Sequence, residues 1–461
     1  MTRILFLCND ALGENMAGPG IRYWELARTL GKAGLEVTLA VLPIAPDPTV
    51  CNTQDFPARI HRCKDDADVR VLVRAADVVI AQGTILAPYP FLTHLSVPLV
   101  LDEYIFFLLE RLNMDTDTVG GDHLFSHESY RQVFNAQIRA GDFFLCASEK
   151  QRDYWLGAMS AGGRVNPYTH GEDPTLRRLI AVVPFGLSGE PPRHTRQVMK
   201  GAHPGIAASD RVLLWGGGIW KWFDAPTLIR AMARLADGRP DIKLFFMGIQ
   251  RPNNRSAKIQ AAADQAIALS QELGLYGRTI FFNEWVAYEE RGNYLLEADV
   301  GVSLHPDHLE TRFSFRTRFL DYVWAGLPMV VTRGDVLSEQ VEAQGLGRVV
   351  ESSDVEGVAA AIVGLLDTPN LREVYRPRFE HLAAQYRWEE VTRPLVEFCL
   401  SPRLAPDKEY LRSNPVLGIR PTPWWSLPGK AWRALRLGGV QRLAGQVKDY
   451  CCWLLNRKNI E

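Results

Sequence analysis

The chain is poor in cysteine, and the few it has form no framework. Seven occur in 461 residues, with no CxxC pair and no zinc-type spacing. Cys8 and Cys146 stand inside apolar runs, where cysteine behaves as a small hydrophobe, and a reducing cytoplasm is the expected setting. Long hydrophobic runs are missing, so no membrane span is expected. The opening Met1-Thr2-Arg3 before Ile4–Cys8 reads as a first strand, not a signal peptide. Charge of one sign is missing as well: 52 Lys+Arg against 53 Asp+Glu leave −1, which argues against nucleic acid as a partner. No segment is of low complexity.

What is present is a two-part alternation. A length of 461 residues exceeds what one core usually serves. Over residues 1–190 short apolar runs (4–8, 37–42, 77–81, 98–102, 142–147, 180–184) alternate with helical patterns such as 21–33 and 149–159. A breaker-rich linker, Pro184 to Pro192, follows. The alternation restarts over 205–385, with strands expected at 212–215, 242–247, 279–282, 299–304 and 328–332. Strands alternating with helices predict parallel sheets covered on both faces, hence an α/β class with two doubly wound domains. Ligands of such sheets bind at the carboxyl ends of the strands, here in the cleft between domains. Residues 386–461 form a third segment. From Ser401 to Glu461 it carries eleven Lys/Arg against four Asp/Glu.

Three stretches carry chemistry. After the first strand, Ala17-Gly18-Pro19-Gly20 leads into Ile21-Arg22-Tyr23. Glycines let backbone approach a ligand, and a helix start offers free N–H groups to an anion. The dinucleotide fingerprint GxGxxG is broken here, and no acidic residue ends the second strand, so an NAD-dependent dehydrogenase is disfavoured. After the first strand of the second domain comes Trp215-Gly216-Gly217-Gly218-Ile219-Trp220-Lys221-Trp222-Phe223-Asp224. Its glycine amides, the Lys221 ammonium and a helix capped by Asp224 suit a diphosphate; a plain tight turn is the competing reading. The third stretch runs from Glu310 through Arg316 and Arg318 to Asp321. The planar fork of Arg316 or Arg318 matches phosphate oxygens, with a helix expected from Ser314 or Phe315, although a surface ion pair would use the same residues.

At these residues the chain resembles the retaining GT-B glycosyltransferases, most closely glycosyltransferase family 4. The likeness covers roughly residues 1–385. It rests on Gly18–Arg22 with Glu25-Leu26-Ala27, on Ile242–Gly248, on Phe281–Val300, and on Asp321–Pro328. The resemblance implies transfer of a sugar from a nucleoside-diphosphate sugar to a hydroxyl of a saccharide or lipid-linked saccharide. It implies donor contacts from Gly18, Gly20, Gly216, Gly217, Gly218 and Asp321, with ribose at Asp321. The family's usual Arg and Lys after the second domain's first strand are reduced to Lys221, and Arg316 or Arg318 is expected to supply the missing positive charge to the leaving group. Of the family's two glutamates, the second falls on Asp321 and the first on Phe313, with Glu310 as nearest acid and expected on the transferred sugar. The family's first-domain histidine has no counterpart in Asp102-Glu103-Tyr104. No cofactor is expected, and no metal, since no DxD-like motif recurs at a strand end. A nucleotide-sugar 2-epimerase and an inactive nucleotide-sugar-binding partner share the pattern. The tail, 401–461, is expected on an anionic membrane surface: Trp424, Trp425, Trp432 and Trp453 accompany Arg433, Arg436, Arg442, Lys448, Arg457 and Lys458.

Overall fold

Alternate residues of each central strand enter opposite cores, which is why these runs are apolar throughout. Ile4, Phe6 and Cys8 enter one core while Leu5 and Leu7 enter the other, and Val78/Ile80 divide from Val79/Ala81 in the same way. The computed structural model describes residues 1–14, 16–46, 56–114, 121–249 and 257–414, with isolated positions between 431 and 447. In the first domain the strands are β1 (Arg3–Cys8), β2 (Glu36–Val41), β3 (Arg59–Arg62), β4 (Val78–Gln82), β5 (Leu99–Asp102), β6 (Phe143–Cys146) and β7 (Ile180–Val182). They pair all-parallel in the order β3-β2-β1-β4-β5-β6-β7. The second domain holds β8 (Arg211–Trp215), β9 (Ile242–Phe246), β10 (Ile280–Phe282), β11 (Val300–Ser303), β12 (Met329–Thr332) and β13 (Gly347–Val350). Its order, β10-β9-β8-β11-β12-β13, is again all-parallel. These are the two doubly wound sheets of a GT-B fold.

In each sheet the order reverses beside the first strand, between β1 and β4 and between β8 and β11. The loops leaving those strands splay apart and open a crevice. The glycine turns after β1 and β8 and the loop after β11 stand at these two points. The edge strands β3 and β13 escape the sequence reading. Each is short, only partly buried and carries arginine, so neither shows an apolar run.

Chain segments beyond the second sheet return to the first domain. Leu187 bridges to Arg387, and Trp388 packs on Phe185 at 5.0 Å between ring centroids. Phe398 stacks on Phe143 at 4.5 Å. Buried Arg164 pairs with Asp407 at 2.9 Å, and Lys408 with Asp142 at 2.7 Å. The segment expected to begin at residue 386 therefore divides, since the compact unit extends from Met1 to Leu411. Of the tail residues singled out above, Trp424, Trp425, Trp453, Arg433, Arg442, Lys448, Arg457 and Lys458 lie outside the described residues. Among those described, no helix is long and apolar enough to cross a membrane. Cys8 and Cys146 are buried and unpaired, and burial pushes both thiols up to about 12.

Candidate functional site

Between the two domains lies a cavity of ≈ 500 Å³, walled on one side by the start of helix Gly18–Lys32 and on the other by the turn after β8 and helix Thr317–Trp324. The turn is set by a tyrosine. Tyr322, fully buried, accepts the Gly216 N–H at 2.9 Å, with its hydroxyl 3.0 Å from Leu214 O and 2.8 Å from Val302 O. Gly217 follows at φ +103, a conformation few side chains tolerate. Asp224 caps the next helix by accepting from the Thr227 N–H at 3.0 Å. Replacing Tyr322 by Phe strips the Gly216 amide of its acceptor and removes the one hydroxyl proton within reach of Leu214 O and Val302 O. The expected result is a loss of about 1–3 kcal/mol of stability and a weaker grip on any ligand of the turn. Chemical denaturation checks the first, and an unchanged midpoint would contradict it.

The arginines reach this turn from the neighbouring helix. That helix starts at Thr317 and not at Ser314, because Ser314 closes a preceding short helix, Leu309–Phe313, through bonds to Glu310 O and Thr311 O. Arg318 donates to Gly218 O at 2.8 Å, and its guanidinium carbon lies over the Phe223 ring at 3.7 Å from the centroid. Burial, reinforced by the nearby Arg316 charge, pulls its pKa down to about 10, so it stays cationic at neutral pH. Arg316, also buried, donates to Glu310 at 2.6 Å. One nitrogen of each guanidinium, Nη1 of Arg318 and Nε of Arg316, is buried without a hydrogen-bond partner. Two buried cationic N–H groups left open beside a glycine turn favour an anion with several acceptor oxygens.

Several expected residues take their places differently. Gly18, Gly216, Gly217, Gly218, Lys221, Arg316, Arg318 and Asp321 all line the cavity. Gly20 does not. A Cβ there would meet Ala11 O at 2.3 Å, so this glycine serves close packing of helix on loop. Glu310 is likewise off the wall, buried against Arg316, which it orients; the sequence gives no sign that the two side chains meet. Asp321 shares one carboxylate oxygen with Arg291 Nε at 3.0 Å, and Arg291 in turn covers the Tyr288 ring at 3.6 Å. Trp285 and Val286 line the same end, with Trp285 Nε1 buried and without a partner.

On the first-domain side, Arg22 forms a fork with Asp102 at 2.6 and 2.9 Å, both fully buried, and also donates to Val183 O and Pro184 O. This pair ties the glycine-led helix to the ends of β5 and β7. Glu103 is buried, accepts from Gln137 at 2.9 Å, and is pushed up to about 8 by desolvation. Tyr104 crosses the cleft to donate to Phe315 O at 3.3 Å. Glu110, which the sequence reading passed over, lines the cavity from helix Phe107–Met114. Away from the cleft, ligand atoms of His61, Cys63 and Asp68 lie within 4.8 Å of one another. There His61 bonds to Asp68 at 3.0 Å, and burial raises the Cys63 thiol to about 11, which keeps it protonated.

Residues 210–368 match the family model described as glycosyl transferases group 1. No curated protein matches the chain in sequence. Among solved structures, sucrose-phosphate synthase from Thermosynechococcus elongatus superposes with a TM-score of 0.63 at 15% identity, over 86% of this chain and 98% of that one. HepE from Anabaena, solved with UDP-glucose, gives a TM-score of 0.60 at 14% identity, over 87% and 100%. WaaG, a glycosyltransferase involved in lipopolysaccharide biosynthesis, gives 0.59 at 15% identity, over 86% and 100%. The second domain thus carries the group 1 glycosyl transferase signature on a GT-B fold, which makes the chain an enzyme of the glycosyltransferase class.

Proposed function

We propose that the chain moves a glycosyl group from a nucleoside-diphosphate sugar to a hydroxyl, in the manner of retaining family 4 enzymes. The observation that carries this reading is the pair of buried arginines, each with one guanidinium nitrogen lacking a hydrogen-bond partner, that line one cavity with the Gly216–Gly218 turn. The diphosphate binds there, with Lys221 adding charge from the cavity rim. Trp285 and Val286 receive the base, and the second carboxylate oxygen of Asp321 receives a ribose hydroxyl. Negative charge develops on the diphosphate as the sugar leaves. Fixed cations already in place stabilise it without reorganising, an effect of about 3–4 kcal/mol per well-placed donor. Arg316, Arg318 and Lys221 supply that charge, so transfer proceeds without a metal or other cofactor. WaaG, involved in lipopolysaccharide biosynthesis, supports a saccharide or lipid-linked saccharide of a bacterial surface polysaccharide as acceptor. The eleven Lys/Arg against four Asp/Glu after Leu400 support a cytoplasmic enzyme held peripherally at an anionic membrane face.

A thermal-shift series with UDP-, GDP-, ADP- and TDP-linked sugars tests the donor, with and without EDTA. One class is expected to stabilise the protein, by about 2.7 kcal/mol at a hundred times its dissociation constant, equally in both conditions. No response to any class would remove the reading. A free epimerised nucleotide sugar appearing without acceptor would turn it into an epimerase.

A further inference from the structure

Glu110 is the only charged side chain that the first domain contributes to the cavity wall among the described residues. The rest of that wall is apolar, backbone or aromatic, Ile21, Tyr104, Ile105 and Phe185 among it. Its helix, Phe107–Met114, is anchored from behind by Phe107, which packs edge-on to Phe134 at 6.1 Å between centroids. Glu110 is in the first turn of that helix, its own N–H bonded to Phe106 O at 2.9 Å, so its backbone position is fixed. Its carboxylate, half-buried, has no hydrogen-bond partner among the described residues.

The surroundings define what this carboxylate can take. Arg316 lies close enough to act on it electrostatically, but the Nη2 of that guanidinium already holds Glu310 at 2.6 Å. Glu310 repels it, and Tyr104 is the titratable neighbour on its own domain. A carboxylate accepts hydrogen bonds and repels anions, so it serves neither the diphosphate nor an anionic acceptor. A neutral hydroxyl entering from the first-domain side satisfies it.

We propose that Glu110 is the acceptor-side residue of this enzyme, receiving the hydrogen bond of the attacking hydroxyl and so selecting a neutral, hydroxyl-bearing acceptor. This rests on the donor reading given above. In the transfer, the acceptor oxygen forms a bond to the anomeric carbon. The bond from that carbon to the diphosphate breaks with its electron pair leaving on the phosphate oxygen, which takes up the acceptor's proton. Glu110 holds the hydroxyl in line and ends in the charge state in which it began. The ionised form is the stronger acceptor, through a charge-assisted bond. Burial and the Glu310 charge, partly offset by Arg316, raise its pKa to about 7, so activity is expected to rise with pH through that region.

The test uses the full chain with the nucleotide sugar identified by thermal shift, and reads consumption of donor by transfer and by hydrolysis together. Acceptor probes are neutral octyl glycosides and, separately, hexose 6-phosphates. Glu110→Gln is expected to slow donor consumption at least tenfold while its dissociation constant for the matching nucleoside diphosphate stays within twofold of wild type. The rise in rate near pH 7 should vanish in Glu110→Gln and persist, shifted, in Glu110→Asp. Donor consumption by Glu110→Gln within threefold of wild type overturns the proposal. So does an equal loss of nucleotide affinity, which would mean that Glu110 only supports Arg316, and so does wild-type use of hexose 6-phosphates in preference to neutral glycosides. Failure of wild-type protein to bind any nucleoside diphosphate is a separate outcome that removes the donor reading, and this proposal with it.

Discussion

Replacing Arg316 by alanine is expected to lower kcat/KM by two to three orders of magnitude. The guanidinium is buried, one of its nitrogens has no hydrogen-bond partner, and it lines the same cavity as the glycine turn and Arg318. Removing one well-placed donor from developing negative charge typically costs about a hundred- to a thousandfold. The single variant also leaves Glu310 buried without its partner, which destabilises the fold by about 3–5 kcal/mol. A double variant, Arg316→Ala with Glu310→Gln, separates the two effects, because it restores a neutral interior while leaving the donor position empty. The double variant is expected to recover most of the lost stability and none of the lost activity. Recovery of turnover to within threefold of wild type would mean that Arg316 is a structural ion pair and nothing more. Arg318→Ala should behave as Arg316→Ala does in activity, with a smaller loss of stability, since Arg318 makes only one hydrogen bond to the turn and no ion pair with a carboxylate among the described residues.

The second large effect is a contrast between two glycines that look alike in sequence. Gly20→Ala is expected to destabilise the chain by about 1–3 kcal/mol, because the new methyl would sit 2.3 Å from the backbone oxygen of Ala11 and push helix and loop apart. Gly18→Ala meets no atom within 4 Å and should fold normally. Its methyl projects from a helix start that lines the cavity, so its effect is expected on ligand affinity. Denaturant midpoints and nucleotide titrations on the two variants distinguish the roles. If Gly18→Ala loses stability while Gly20→Ala loses only binding, the assignment is reversed.

The alternation of short apolar runs with helical patterns determined the α/β class, the two tandem sheets and the site of the cleft. Strand and helix periodicities are local properties, and a parallel sheet buried on both faces writes itself as an unbroken apolar run, as in Ile4–Cys8 and Val212–Trp215. Glycine turns are legible for the same reason, so the sequence pattern alone puts Gly216–Gly218 at a strand end. The edge strands β3 and β13 were not legible, since one covered face and a few arginines leave no such run. Only the tertiary structure decided the partners. It gave Glu310 to Arg316, turned Gly20 inward onto Ala11, and locked Arg22 to Asp102. It also brought Glu110, an unremarked acid on a short helix of the first domain, to the same cavity as Arg316 of the second. Which charges meet across a cleft depends on how two independently folded sheets pack, and no local pattern in either sheet encodes that.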